Sequence, residues 1–111
     1  MSQVFDETEL TWEPVRPEIT QGVLGKTLLA AGARVVLTRV VPGGEFQMHH
    51  DTYGHLFYVL AGRGTLRLRD QTLELYAGRV VQITAGEMHA YANDGNQDLM
   101  LLSLNLPAQI I

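Results

Sequence analysis

The chain has 111 residues, 46% of them hydrophobic and 18% charged, with eight basic against twelve acidic side chains and a formal charge of −4. That length and balance fit one folded domain and exclude a disordered chain or a pair of domains. The absence of cysteine excludes disulfides, thiolate metal sites and cysteine nucleophiles, and the lack of any basic block argues against nucleic acid as a partner.

Residues 1–18, MSQVFDETELTWEPVRPE, are acidic and mixed, with Pro14 and Pro17. They lack the basic-then-apolar pattern of a secretory signal. No apolar run in the chain approaches the roughly 18 residues a membrane helix needs, so the expectation is a soluble cytoplasmic protein with no membrane partner. The segment reads as an extended N-terminal arm packed outside a single domain of residues 19–111.

Beyond the arm, turn residues cut the chain into short β-branched and leucine-rich runs: GVLGKTLLA, ARVVLTRVV, HLFYVLAG, TLRLR, TLELY, RVVQIT, HAYAN and DLMLLSLNL. Runs of this length and spacing predict an all-β sandwich or barrel. Gly43, Gly44, Gly62, Gly64, Gly78 and Gly86 supply the bends its corners need. In TLRLRDQTLELY, a two-residue turn at Asp70-Gln71 would set Leu68 opposite Leu73, Leu66 opposite Leu75 and Arg67 across from Glu74. Near the C-terminus, Leu102, Leu104 and Leu106 alternate with Ser103 and Asn105, and the leucines are expected to face the barrel interior.

Three of the four histidines, His49, His50 and His55, fall in MHHDTYGHLFYVLAG. Along a strand, residues i and i+2 share a face about 6.6 Å apart, so His49 and Asp51 face one way and His50 the other. The chain then turns through Thr52-Tyr53-Gly54 and returns with His55 on a face shared with Phe57 and Val59. The fourth histidine, His89, follows a glycine-containing turn and shares its face with Tyr91 and Asn93. Imidazole and carboxylate groups converging from three strands suit a divalent transition metal, and His49-x-Asp51 with a distant His89 has the form of a two-histidine, one-carboxylate triad. The alternative for Asp51 is a turn residue whose carboxylate caps the following backbone. His50 would become a ligand only if a bulge displaced the strand by one residue.

On these residues the sequence resembles the cupin superfamily, specifically its small single-domain members. The first motif of that family is a glycine, five residues, H-x-H, three or four residues, a glutamate, six residues and a glycine; Gly43, His49, Asp51, His55 and Gly62 stand at those spacings. The second motif, G-x5-P-x-G-x2-H-x3-N, is matched by Gly78, Thr84, Gly86, His89 and Asn93, with threonine in the proline position. The chain departs at two ligand positions, with Asp51 for the second histidine and His55 for the glutamate. The resemblance spans roughly residues 20–107. It implies a double-stranded β-helix, or jelly-roll barrel, and a homodimer. It also implies a divalent Fe, Mn, Ni or Zn held by His49, Asp51, His55 and His89.

The pocket for a small organic substrate or ligand would be walled by Gln47, Phe57, Tyr91, Leu102, Leu104 and Leu106; for each a packing role stands beside the binding one. Two functions follow. One is a metalloenzyme of dioxygenase or isomerase type; the other is a non-catalytic cupin that binds a small molecule with or without metal.

Overall fold

The structure, a computed structural model, describes residues 1–111. Its spine is β3 (Arg34–His49), sixteen residues rich in valine and interrupted by Pro42-Gly43-Gly44. A straight strand of that length would run about 50 Å at the usual rise. Instead it bends at the glycines and serves both halves of the barrel. Its first half pairs with β9 (Leu99–Leu106) and its second half with β8 (His89–Ala92), while β2 (Thr20–Ala30) follows both halves on the other side. Gly22, at φ +64°, sits at the register shift in β2 opposite the bend. A Cβ on Gly44 would come within 2.9 Å of the carbonyl oxygens of Gly22 and Val41. The corner therefore requires glycine on both strands.

The remaining strands are β1 (Glu13–Pro14), β4 (Gly54–Ala61), β5 (Arg63–Leu68), β6 (Thr72–Tyr76) and β7 (Val80–Ile83), and a single 3-10 turn spans Glu7–Glu9. Every pairing is antiparallel and the order β6-β5-β8-β3-β9-β4-β7 wraps the sheet around one core. This is the expected all-β double-stranded β-helix, or jelly roll. Val40, Val59, Leu66, Leu75, Ile83, Leu99 and Leu101 are wholly buried between its halves. No helix is long and apolar enough to cross a membrane.

The β5–β6 hairpin forms, but in a register different from the expected one. Leu66 faces Leu73, Arg67 faces Thr72, and the two-residue turn is Arg69-Asp70, closed by the Leu68 N–H on the Gln71 carbonyl. The outer-face ion pair is accordingly Arg63–Glu74 at 2.9 Å, not Arg67–Glu74. Each leucine keeps its face, because both registers pair residues of the same parity.

Strand β9 presents the opposite face from the expected one. Leu99, Leu101 and Ser103 point inward and are buried, while Leu102, Leu104 and Leu106 are only partly buried. Both faces of this strand are leucine-rich, so alternation alone could not choose between them. The inward face turns polar at Ser103 and Asn105, where the strand leaves the core and reaches a cavity.

The N-terminal arm is pinned in two places. On the outside, Lys26 Nζ lies 2.7 Å from Glu7 Oε2 and 3.0 Å from the Glu7 carbonyl, and stands 4.7 Å from the centroid of the Trp12 ring. The arm then adds β1 to the edge of β2 and brings Glu13, Pro14, Val15 and Arg16 onto the cavity wall.

Candidate metal centre

A bulge sets the first histidine. Between Phe46 and His49 three steps along β3 are matched by two along β8, which pairs Phe46 with Tyr91 and His49 with His89. The extra residue lets Phe46 and His49 share the inner face, where their rings stack at 4.4 Å. Gln47 is consequently exposed and lies off this cavity, which corrects the expectation from simple alternation. His50 is exposed as well. The two loops bearing the motif residues are tied together by the Gly86 N–H, which donates to the Asp51 carbonyl at 2.8 Å. Asn93 is a staple in its loop: its buried side-chain amide donates to the Val40 and Gln97 carbonyls and its oxygen accepts from the Gly95 N–H.

His49, Asp51 and His89 each contribute one possible ligand atom to a group whose members lie within 4.8 Å of one another. Nδ1 of His49 is 2.7 Å from the Gln47 carbonyl and Nδ1 of His89 is 2.8 Å from the Glu87 carbonyl. In each ring the Nδ1–H donates to the backbone, which leaves the Nε2 lone pair free in the neutral form. His49 Nε2 stands only 3.2 Å from Asp51 Oδ2. Two acceptors at that separation need a proton or a cation beside them, so the donor set fits a divalent metal. His55 joins differently, through Nε2 at 2.9 Å from Asp51 Oδ2. It lies outside the three-donor group and against the carboxylate.

The charge states follow from burial and neighbours. Burial pushes the Asp51 carboxyl up, but the Arg16 hydrogen bond, the electrostatic influence of the neighbouring His49 ring and the His55 hydrogen bond outweigh it and hold the group below its ordinary value. Burial lowers His89 to about 4, against the raising effect of its bond to Glu87 and with further lowering from His49 and His55. Burial likewise lowers His55 despite its contact with Asp51. Near neutral pH this is an ionised carboxylate beside neutral His55 and His89, the state in which such groups bind metal.

The centre opens into a cavity of about 220 Å³. Phe57 and Tyr91 line it, and so do Phe46, Thr38, Ser103 and Asn105. Leu102, Leu104 and Leu106 do not line it, because they occupy the outer face of β9. Arg16 and Tyr53 are wall residues that sequence reasoning did not find. Arg16 lies 35 positions before the carboxylate it pairs with, and no local pattern marks it. Ser103 and Asn105 did leave a signal, as polar residues spaced by two within an otherwise apolar strand.

The family model described as "Cupin domain" matches residues 36–105. An oxalate-binding protein of Thermotoga maritima is 30% identical over 67 residues, 60% of this chain and 55% of that protein, so the match spans little more than half of that relative. An uncharacterized protein of Methanocaldococcus jannaschii is 26% identical over 98 residues, covering 86% of this chain and 70% of that one. Among solved structures, a predicted oxalate decarboxylase from Thermotoga maritima superposes with a TM-score of 0.85 at 26% identity, covering 95% of this chain and 99% of that one. The polyketide cyclase RemF from Streptomyces resistomycificus gives 0.87 at 25% identity, covering 97% and 80%. With the jelly roll, both spaced motifs and the family match in agreement, the chain belongs to the cupin family.

Proposed function

We propose that this protein is a metal-dependent cupin that binds a small organic molecule in the cavity and acts on it at the histidine–aspartate cluster. The observation behind this reading is the pair of rings, His49 and His89, each held through Nδ1 by a backbone carbonyl and grouped with an ionised Asp51. His49, Asp51 and His89 would hold the metal. His55 would orient the carboxylate or join as a fourth ligand. Bound there, a divalent Fe, Mn, Ni or Zn supplies a Lewis acid, or with iron or manganese an oxygen-activating centre. The reaction classes that fit are dioxygenase and isomerase chemistry.

The chain's own residues shape the rest. Phe46, Phe57 and Tyr91 exclude water from one side of the centre. Arg16 occupies Asp51 Oδ1 and so leaves Oδ2 toward the histidines. The buried Thr38–Ser103 hydroxyl pair adds a further polar patch to the cavity wall.

Elemental analysis of untagged protein prepared without chelator tests the reading. Near-stoichiometric iron, manganese, nickel or zinc, lost in His89→Ala and in Asp51→Ala, is the expected result. Failure of every added divalent ion to bind would overturn it. The name of the 30% identical relative, an oxalate-binding protein, favours a second reading in which the cupin binds its ligand without turnover. Ligand consumption or oxygen uptake by the metal-loaded protein separates the two.

The homodimer belongs to the same proposal. Tyr58, Leu60 and Val80 are exposed on the outer face of β4 and β7, next to the outward Leu56, Leu102 and Leu104. A second copy closing over that apolar face would cover it.

A further inference from the structure

The cavity wall carries two arginines, and they are not equivalent. Arg16 is neutralised by Asp51 at 2.8 Å and stands 3.5 Å from Glu18. Arg34 makes no ion pair; its one side-chain hydrogen bond runs from Nη2 to the Thr27 hydroxyl at 3.3 Å. Glu13, the other carboxylate on the wall, pairs with neither arginine.

Arg34 is also placed in line with the centre. Across three adjacent strands Arg34 faces Asn105, and Asn105 faces His55, all on the inner side of the sheet. Adjacent strands lie about 4.8 Å apart, so the Arg34 and His55 backbones are separated by roughly 10 Å. The guanidinium rests on the Thr27 hydroxyl of β2, itself a wall residue, and the arm is long enough to swing over part of that gap toward a ligand. Asn105 sits between the two, and Tyr53 lies close enough to feel the charges of both Arg34 and Arg16. A cavity of about 220 Å³ has room for a molecule of roughly seven water-sized groups.

We propose that the cavity's ligand is a small carboxylic acid, and that Arg34, supported by Asn105 and Tyr53, is the residue that holds its carboxylate away from the His/Asp centre. The planar guanidinium matches two carboxylate oxygens, and the neutral Asn105 and Tyr53 add hydrogen bonds without competing charge. This deepens the metal-dependent reading by naming the substrate class of the same site. It requires only that the ligand occupy this cavity.

Malonate serves as the probe, with neutral malonamide and inorganic phosphate beside it. Each is titrated calorimetrically into wild type, Arg34→Gln and Arg34→Lys, in Mn(II)-loaded and in chelator-treated protein, and Mn(II) binding to each protein is measured separately. Arg34 is exposed at the start of β3 and outside the core, so both variants should fold, and their melting temperatures check this. Loss of one charge-assisted pair should weaken malonate binding roughly tenfold to a hundredfold in Arg34→Gln. Arg34→Lys should recover part of it, malonamide should bind weakly and equally to all three, and Mn(II) affinity should stay within about twofold.

Malonate affinity that is unchanged in Arg34→Gln overturns the proposal. So does Arg34-dependent binding of phosphate with none of malonate. If wild type binds no Mn(II) but Arg34-dependent malonate binding persists in the metal-free protein, the metal reading fails and this one stands.

Discussion

Arg16 Nη1 lies 2.8 Å from Asp51 Oδ1, although 35 residues separate the two in the chain. Arg16 is a non-glycine residue at φ +44°, a conformation that costs energy and persists only where surrounding contacts hold it. The contact joins the N-terminal arm to the centre of the cavity. Arg16→Ala should therefore lower stability by about 1 kcal/mol, the value for a charged hydrogen bond discounted for a partly exposed partner. Denaturant midpoints of wild type, Arg16→Ala and Arg16→Lys measure it. Equal midpoints for all three would show that the arm contributes nothing at this point.

Acid should destabilise the metal-free protein in two stages. His89 titrates at about 4 when folded against 6.5 in the unfolded chain. Between those values the unfolded state binds the proton and the folded state does not, so stability falls as the pH drops from 6.5 toward 4. The His89 share reaches up to about 3 kcal/mol. Asp51, depressed when folded, adds a further loss below its unfolded value of 3.8. Urea midpoints in chelator at several pH values between 7.5 and 4.5 should decline through this window. A flat profile would contradict the burial argument for His89.

The Thr38 and Ser103 hydroxyls are both buried and 3.0 Å apart. Removing the Thr38 hydroxyl leaves Ser103 without its partner, so Thr38→Val should cost about 1–3 kcal/mol, whereas Ser103→Ala should cost less, because the Thr38 hydroxyl keeps the Val36 carbonyl at 3.4 Å. The double variant should cost less than the sum of the two, because it leaves no orphaned hydroxyl. A thermodynamic cycle from chemical denaturation reads this directly, and strict additivity would mean that the pair is not coupled.

The two faces of β9 predict opposite responses to the same substitution. Leu101 is wholly buried, so Leu101→Ala should cost about 2–5 kcal/mol. Leu102→Ala, on the outer face, should cost well under that in the monomer, about 1 kcal/mol. Leu102→Glu should convert a dimer to a monomer by sedimentation or light scattering if the outer face of β4 and β9 is where copies meet. A dimer that survives both Leu102→Glu and Tyr58→Glu would place the contact elsewhere.

Gly62 has φ +84° and no room for a side chain: an added Cβ would collide with the Asp98 carbonyl and the Leu99 backbone. Gly78 has a similar φ of +90° but open space around it. Gly62→Ala should thus be clearly more destabilising than Gly78→Ala, by thermal melting of the two variants. Equal losses would mean that backbone strain alone sets the cost.

Much of the barrel was legible because its signals are local. Valine- and leucine-rich runs bounded by glycine mark strands, and the spacing from Gly43 to Gly62 and from Gly78 to Asn93 marks the two loops that hold the centre. The alternation in the β5–β6 hairpin identified its inner leucines. It could not set the register, since a shift of the turn from Asp70-Gln71 to Arg69-Asp70 leaves every leucine on its face.

By itself the sequence determined the fold class, the bends and the places along the chain of its histidines and Asp51, since each depends on residue type and spacing within a short stretch. Only the tertiary structure decided three further matters. The bulge that puts Phe46 rather than Gln47 beside His49 arises from pairing between β3 and β8. The inward turn of Ser103 and Asn105, instead of Leu102 and Leu104, depends on which face of β9 meets the core from the opposite half of the barrel. The arrival of Arg16 at Asp51 and the alignment of Arg34 with His55 are set by strands that meet only when the barrel closes. These are long-range contacts, and a chain read in short windows contains no term for them.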